Sequence, residues 1–132
     1  IADVALVRDW SEAFGRETGA LIGSAAALEQ RLASGSLTIW RDAGATPVAL
    51  AGYSLEVDGA RRIGPVYTAG EHRRRGYGAA VTAVACRRAL AGGTSQLLLY
   101  ADVGNPTSNT LYRRLGFEPV EDRIELRFRP RC

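Results

Sequence analysis

The run Arg73-Arg74-Arg75-Gly76-Tyr77-Gly78-Ala79 lies between a β-rich stretch, 63–68, and a helix-like stretch, 79–90. A strand that passes through a glycine turn directly into a helix aims several backbone N–H groups and the positive end of the helix at one point. The glycines let an anion approach the backbone, and the arginines surround it with positive charge. The turn reads as a phosphate site, and it requires a fold that places a strand and a helix back to back around it.

The rest of the chain supplies the surrounding elements. Val4, Val7, Trp10 and Phe14 recur at helical spacing and Gly19 follows, which predicts an amphipathic helix over 3–18. Ser24 is a candidate N-cap for a second helix carrying Leu28 and Leu32 and ended by Gly35. Residues 37–41 and 48–57 read as strands joined by a hairpin through Asp42, Gly44 and Pro47, and Asp58-Gly59 marks a tight turn into a third strand, 61–68. The helix 79–90 and a strand over 96–101 then complete a right-handed β-α-β crossover, expected to set 97–100 parallel to 63–68. A short helix over 107–115 and closing strands at 117–120 and 124–128 finish the sheet. The expected fold is α/β of the α+β kind: a mixed, mostly antiparallel twisted sheet with a central crossover and flanking helices.

Downstream of Leu97-Leu98-Leu99-Tyr100 comes Asn105-Pro106-Thr107-Ser108-Asn109-Thr110-Leu111-Tyr112-Arg113-Arg114-Leu115-Gly116-Phe117. This resembles the Asn-x-x-Ala-x-x-x-Tyr-x-x-x-Gly-Phe signature of the GNAT N-acetyltransferase superfamily, with Ser108 at the small-residue position. Arg73-x-x-Gly76-x-Gly78 resembles the same superfamily's pyrophosphate loop, Gln/Arg-x-x-Gly-x-Gly/Ala. The two motifs stand in the family's order and separation, and the resemblance covers about residues 36–128. The chain departs from the family at its start, where a β-strand normally precedes the first helix. The expectation is a fragment, a shortened chain, or a strand supplied by another segment, with an open sheet edge that favours a homodimer.

The resemblance implies acetyl-CoA as cosubstrate and no metal. It assigns the pyrophosphate to Arg73, Arg74, Arg75, Gly76, Tyr77, Gly78 and Ala79, with Tyr77 contributing packing. It implies that the pantetheine arm pairs like a further strand with Val66, Tyr67 and Thr68, where an N–H near Tyr67 polarises the thioester carbonyl. Tyr112 is the candidate general acid for the leaving thiolate, and Asn105 caps its helix and binds the arm. A general base is not assigned: His72 adjoins the phosphate loop instead of the thioester, and Glu56, Asp102 and Tyr53 all remain open. The acceptor is an amine, small molecule or peptide. Glu12, Glu17 and Glu29 hint at a cationic one, although acids scattered on helices usually form solvated faces.

Size and composition narrow the alternatives. At 132 residues and 46% hydrophobic, the chain suits one domain with a useful core. All 17 basic residues are arginine, a bias expected of a GC-rich bacterial genome. A net charge of +3 is too small to argue for nucleic acid, and Arg123, Arg127, Arg129 and Arg131 alternate with apolar residues as the solvated face of a strand would. No apolar run suits a bilayer and no secretory leader is recognised, so a cytoplasmic protein without a membrane partner is expected. Cys86 and Cys132 have neither the number nor the spacing of a disulfide framework or zinc site, and Cys86 reads as structural, so transfer within a ternary complex is expected over an acyl-enzyme. The alternative of another class is a non-catalytic acyl-CoA-binding regulatory module. A nucleotide hydrolase is disfavoured because the loop lacks a Gly-Lys-Ser/Thr ending.

Overall fold

The computed structural model describes residues 2–18, 25–101 and 104–123. The chain divides into two compact units, 1–101 and 102–132. The first contains helices α1 (Ala2–Thr18) and α2 (Ala25–Ser34), strands β1 (Leu37–Arg41), β2 (Pro47–Tyr53) and β3 (Ala60–Thr68), a 3-10 turn (Gly70–His72), helix α3 (Tyr77–Ala91) and strand β4 (Gln96–Leu98). The strands form one sheet in the order β1-β2-β3-β4, antiparallel except for the β3–β4 pair.

β2 explains the layering. Its sequence is apolar without alternation because both faces are covered, as in strands that have helices on either side. On one face Leu50, with Leu37 and Tyr67, packs against Val7 of α1 and Leu28 of α2. On the other, Ala49 and Ala51 meet Val81 and Ala85 of α3, and these small side chains let the helix lie close to the sheet. Gly52 is required by space: a Cβ there would stand 2.8 Å from Arg31 Nη2 and 2.9 Å from the Ser36 carbonyl oxygen.

Local chemistry sets the turns. α2 closes at Gly35, with the Ser36 N–H donating to the Arg31 carbonyl at 3.0 Å. Asp42 Oδ1 accepts from the N–H groups of Gly44 and Thr46, shaping the β1–β2 hairpin. Asp58 and Gly59 both have positive φ, 50° and 79°, as a two-residue turn matched to strand twist demands. The Gly59 carbonyl then accepts from the N–H groups of Ser95 and Gln96, which brings β4 to the start of β3.

Several elements differ from expectation. β2 ends at Tyr53 instead of running to 57, and Leu55 and Val57 are 85% and 69% exposed in the arm of the next turn, with nothing apolar to pack against. α3 begins at Tyr77, two residues ahead of the expected start, because Gly76 already serves as its N-cap. β4 is short, and it pairs with β3 at Ala60, Arg61 and Arg62 instead of along 63–68. The reason lies in β3. Ala51 faces Val66 but Tyr53 faces Ile63, so β3 carries an extra residue around Gly64 and the cis-linked Pro65. A bulge of this kind bends and twists its strand, and β3 turns away from β4 there.

In the second unit α4 (Pro106–Arg114) carries Asn105 as N-cap, whose Oδ1 accepts from the Ser108 N–H at 3.2 Å, with Pro106 at the first helical position. The strand expected at 117–120 is absent: Pro119 lacks the N–H a ladder needs, and Val120 is 84% exposed. The Arg123 guanidinium pairs with Glu121. The strand expected at 124–128, with Arg127 and Arg129, lies outside the described residues, as do Ser24, Asp102 and Cys132.

Candidate active site

The turn between β3 and α3 leaves backbone donors open. Gly76 caps α3 in the left-handed conformation, φ +82°, with no side chain bonded to the helix end. The Ala80 N–H donates to the Gly76 carbonyl, so the amides of Tyr77, Gly78 and Ala79 are the ones an α-helix leaves without an internal partner. A non-glycine residue at Gly76 would be strained by its φ, although nothing lies within 4 Å of where its Cβ would stand. Arg74 and Arg75 are exposed, and neither has a hydrogen-bond or ion-pair partner among the described residues. Open amides, a helix N-terminus and two uncommitted guanidinium groups are the features by which a protein attracts an anion.

Arg73 is arranged differently. Its Nε donates to the Thr68 carbonyl at 3.0 Å, and its Nη2 reaches both carboxylate oxygens of Glu17, at 3.0 and 2.8 Å. Its guanidinium also lies 5.7 Å from the centre of the Tyr67 ring, and the Glu17 hydrogen bond raises its pKa. Arg73 thereby ties the end of α1 to the end of β3.

The free edge of β3 can be read from its register. The Ala69 N–H bonds to the Val48 carbonyl, and in an antiparallel ladder bonded pairs alternate, so Tyr67 exchanges bonds with Leu50. Val66 and Thr68 therefore turn their N–H and C=O groups to the opposite edge. Beyond Arg62 no strand pairs with that edge among the described residues. The Arg73 bond to the Thr68 carbonyl confirms the direction.

Tyr112, in the second unit, is partly buried on α4, its ring edge-on to Phe117 with centroids 6.3 Å apart. Burial raises the pKa of its phenol. Such a group keeps its proton throughout the neutral range.

A family described as FR47-like protein matches residues 41–125. The chain belongs to it, within the GNAT superfamily. A mycothiol acetyltransferase of Corynebacterium jeikeium is 35% identical over 77 residues, 56% of this chain, and the chain spans only 22% of that relative's length. Among solved structures, a GCN5-related N-acetyltransferase of Ralstonia eutropha aligns with TM-score 0.69 and 27% identity, covering 95% of this chain and 92% of the other. A ribosomal-protein-alanine N-acetyltransferase of Brucella melitensis gives TM-score 0.72 at 23% identity, covering 89% and 80%. AAC(6')-Iy, solved with the bisubstrate analogue CoA-S-monomethyl-acetylneamine, gives TM-score 0.62 at 22% identity, covering 79% and 77%.

Other residues singled out in this GNAT chain fall in varied surroundings. Tyr53 lies under the Arg61 guanidinium at 5.2 Å, and Glu56 is exposed in the hairpin arm. His72 Nε2 is 3.5 Å from Glu71, and its ring stands edge-on to Tyr77. Cys86 is half-buried in α3, and burial pushes its thiol pKa up, away from a reactive thiolate. Glu17 and Glu29 are already paired with Arg73 and Arg8. The link between Glu17 and Arg73 spans 56 residues of sequence, and no periodicity or motif signals it. The outward turn of Val66 and Thr68 depends on register, which a single strand does not disclose.

Proposed function

We propose that the chain is an acyl-CoA-dependent N-acetyltransferase domain that moves an acetyl group from acetyl-CoA to an amine by direct transfer in a ternary complex. The observation that carries this reading is the junction of two backbone surfaces with open groups: the amides of Tyr77, Gly78 and Ala79, and the strand-free edge of β3 at Val66 and the Thr68 N–H, the Thr68 carbonyl being held by Arg73. A ligand with a pyrophosphate at one end and an extended amide-bearing arm suits both.

Arg74, Arg75 and the α3 amides would hold the pyrophosphate, and Val66 and Thr68 would pair with the arm. Their N–H groups would also donate to the acyl oxygen as charge develops on it, a contribution of about 3 kcal/mol in comparable sites. The amine nitrogen bonds to the acyl carbon and the carbon–sulfur bond breaks. Tyr112, carried over from the family signature and kept protonated by burial, would give its proton to the departing thiolate. The proton shed by the amine passes to solvent and another returns to Tyr112. Asn105 retains its role as helix cap and is the candidate to bind the arm.

Thiol release from acetyl-CoA, measured with purified chain and a panel of amines, tests the proposal. Release that depends on the amine is the expected result. Saturable CoA binding without amine-dependent release would favour a regulatory binding module instead.

A further inference from the structure

At the fork where β3 leaves β4 the sheet carries two guanidinium groups with no carboxylate. Arg31 of α2 is part-buried, and its Nη2 donates to the Gly64 carbonyl at 2.6 Å, in the bulge itself. Its Nε is buried without a partner. Arg62, the last β3 residue paired with β4, is exposed, and its guanidinium lies 5.7 Å from the centre of the Tyr100 ring. Neither arginine forms an ion pair among the described residues, whereas Arg8, Arg41 and Arg73 each face a carboxylate. Burial, reinforced by the charge of Arg62, lowers the Arg31 pKa. A partly desolvated cation held next to another cation is unfavourable unless an anion joins them. Of the three glutamates suited to a cationic acceptor, Glu17 and Glu29 are neutralised by their own arginines, which leaves Glu12 alone without an ion pair among the described residues.

We propose that Arg31 and Arg62 bind an anionic group, carboxylate or phosphate, carried by the acceptor, so that the acceptor is an amine that also bears a negative charge. This rests on the acetyltransferase reading, which puts the reacting acyl group beside the same stretch of β3. The planar fork of Arg62, steadied over the Tyr100 ring, matches the paired oxygens of either anion, while Arg31, whose Nη2 is engaged by Gly64, adds its charge and remaining donors. The amine then reaches the acyl carbon from a fixed anchor. The anchor sets which acceptor is used and takes no part in bond making.

The test uses the chain saturated with CoA, so that it needs no turnover. Three small amines are titrated: β-alanine, its neutral amide, and O-phosphoethanolamine. The side-chain Nε–H signals of Arg31 and Arg62 are followed by NMR. Expected is saturable binding of one or both anionic amines at least roughly tenfold tighter than the amide, with Arg62→Gln removing most of the difference. The carboxylate and phosphate arms show which anion is preferred. Arg62 is exposed, so this variant tests the anchor without disturbing the Arg31–Gly64 contact. Equal affinity for all three, no binding of any, or a preference unchanged in Arg62→Gln would overturn the proposal. Failure of the acetyltransferase reading would appear separately, as absence of CoA binding before any amine is added.

Discussion

Arg73 and Glu17 stand 2.8 Å apart, and through this contact the end of α1 is linked to the turn between β3 and α3. The same arginine bonds the Thr68 carbonyl, so its charge is committed before any ligand arrives. Arg74 and Arg75 are not committed in this way. Replacing either by Gln is expected to weaken CoA about three- to tenfold, in line with a charge-assisted contact to an anion, and to reduce the salt dependence of binding. Arg73→Gln should weaken it less. Calorimetry at two salt concentrations checks the order, and a larger effect at Arg73 would contradict it.

The contact between Glu17 and Arg73 is half-exposed on both sides, at 45% and 46%. Its contribution to stability should therefore be no more than about 1 kcal/mol, and Glu17→Gln should leave the urea midpoint nearly unchanged. A large loss would show that the pair holds α1 on the sheet.

Gly52 offers a contrast in stability. An added methyl would press on Arg31, Leu37 and the Ser36 backbone, and the Ser36 carbonyl is held by the Tyr53 N–H at 3.0 Å. Gly52→Ala should destabilise by about 1–3 kcal/mol, read as a lower urea midpoint with an unchanged slope. Wild-type stability would mean that the β1–β2 pair can open without penalty.

Tyr112 has a pH signature as well as a kinetic one. Burial raises its folded-state pKa above the ordinary 10.0, so the folded chain holds this proton more tightly than the unfolded chain does. Its effect is constant below that value, and stability falls as pH rises through 10.0 towards the folded pKa. The sequence contains no lysine, whose titration would overlap that range. Tyr112→Phe should blunt the alkaline loss of melting temperature and remove a late-titrating phenol from the absorbance at alkaline pH. At neutral pH it should lower turnover about 10²-fold with acetyl-CoA affinity nearly intact. Normal turnover under chemistry-limited conditions would assign the hydroxyl to packing.

Much of this arrangement could be read from local chemistry. Gly35, Asp58-Gly59, Gly76 and Asn105 each mark an element end because one residue's conformation or side chain decides it, and the structure places boundaries at all four. What depended on partners was less legible. Leu55 and Val57 looked strand-like but have no apolar surface to meet, and β4 pairs with the wrong end of β3 for a simple crossover because a bulge at Gly64 intervenes. The free edge at Val66 and Thr68 and the engagement of Arg73 with Glu17 both arise from long-range placement, which no window of sequence encodes.

The central claim is that the N-terminus of α3 holds the pyrophosphate of CoA, and Gly78 isolates it. Gly76 is unsuitable for the test because its positive φ would strain any replacement, whereas Gly78 lies within α3 and is not among the glycines with positive φ. The decisive measurement is calorimetric titration of CoA into wild-type chain and Gly78→Val, with folding of both verified by circular dichroism. Saturable binding to the wild type and at least roughly tenfold weaker binding to a folded Gly78→Val protein are predicted. Equal affinity of the two, or no binding to the wild type, would contradict the assignment.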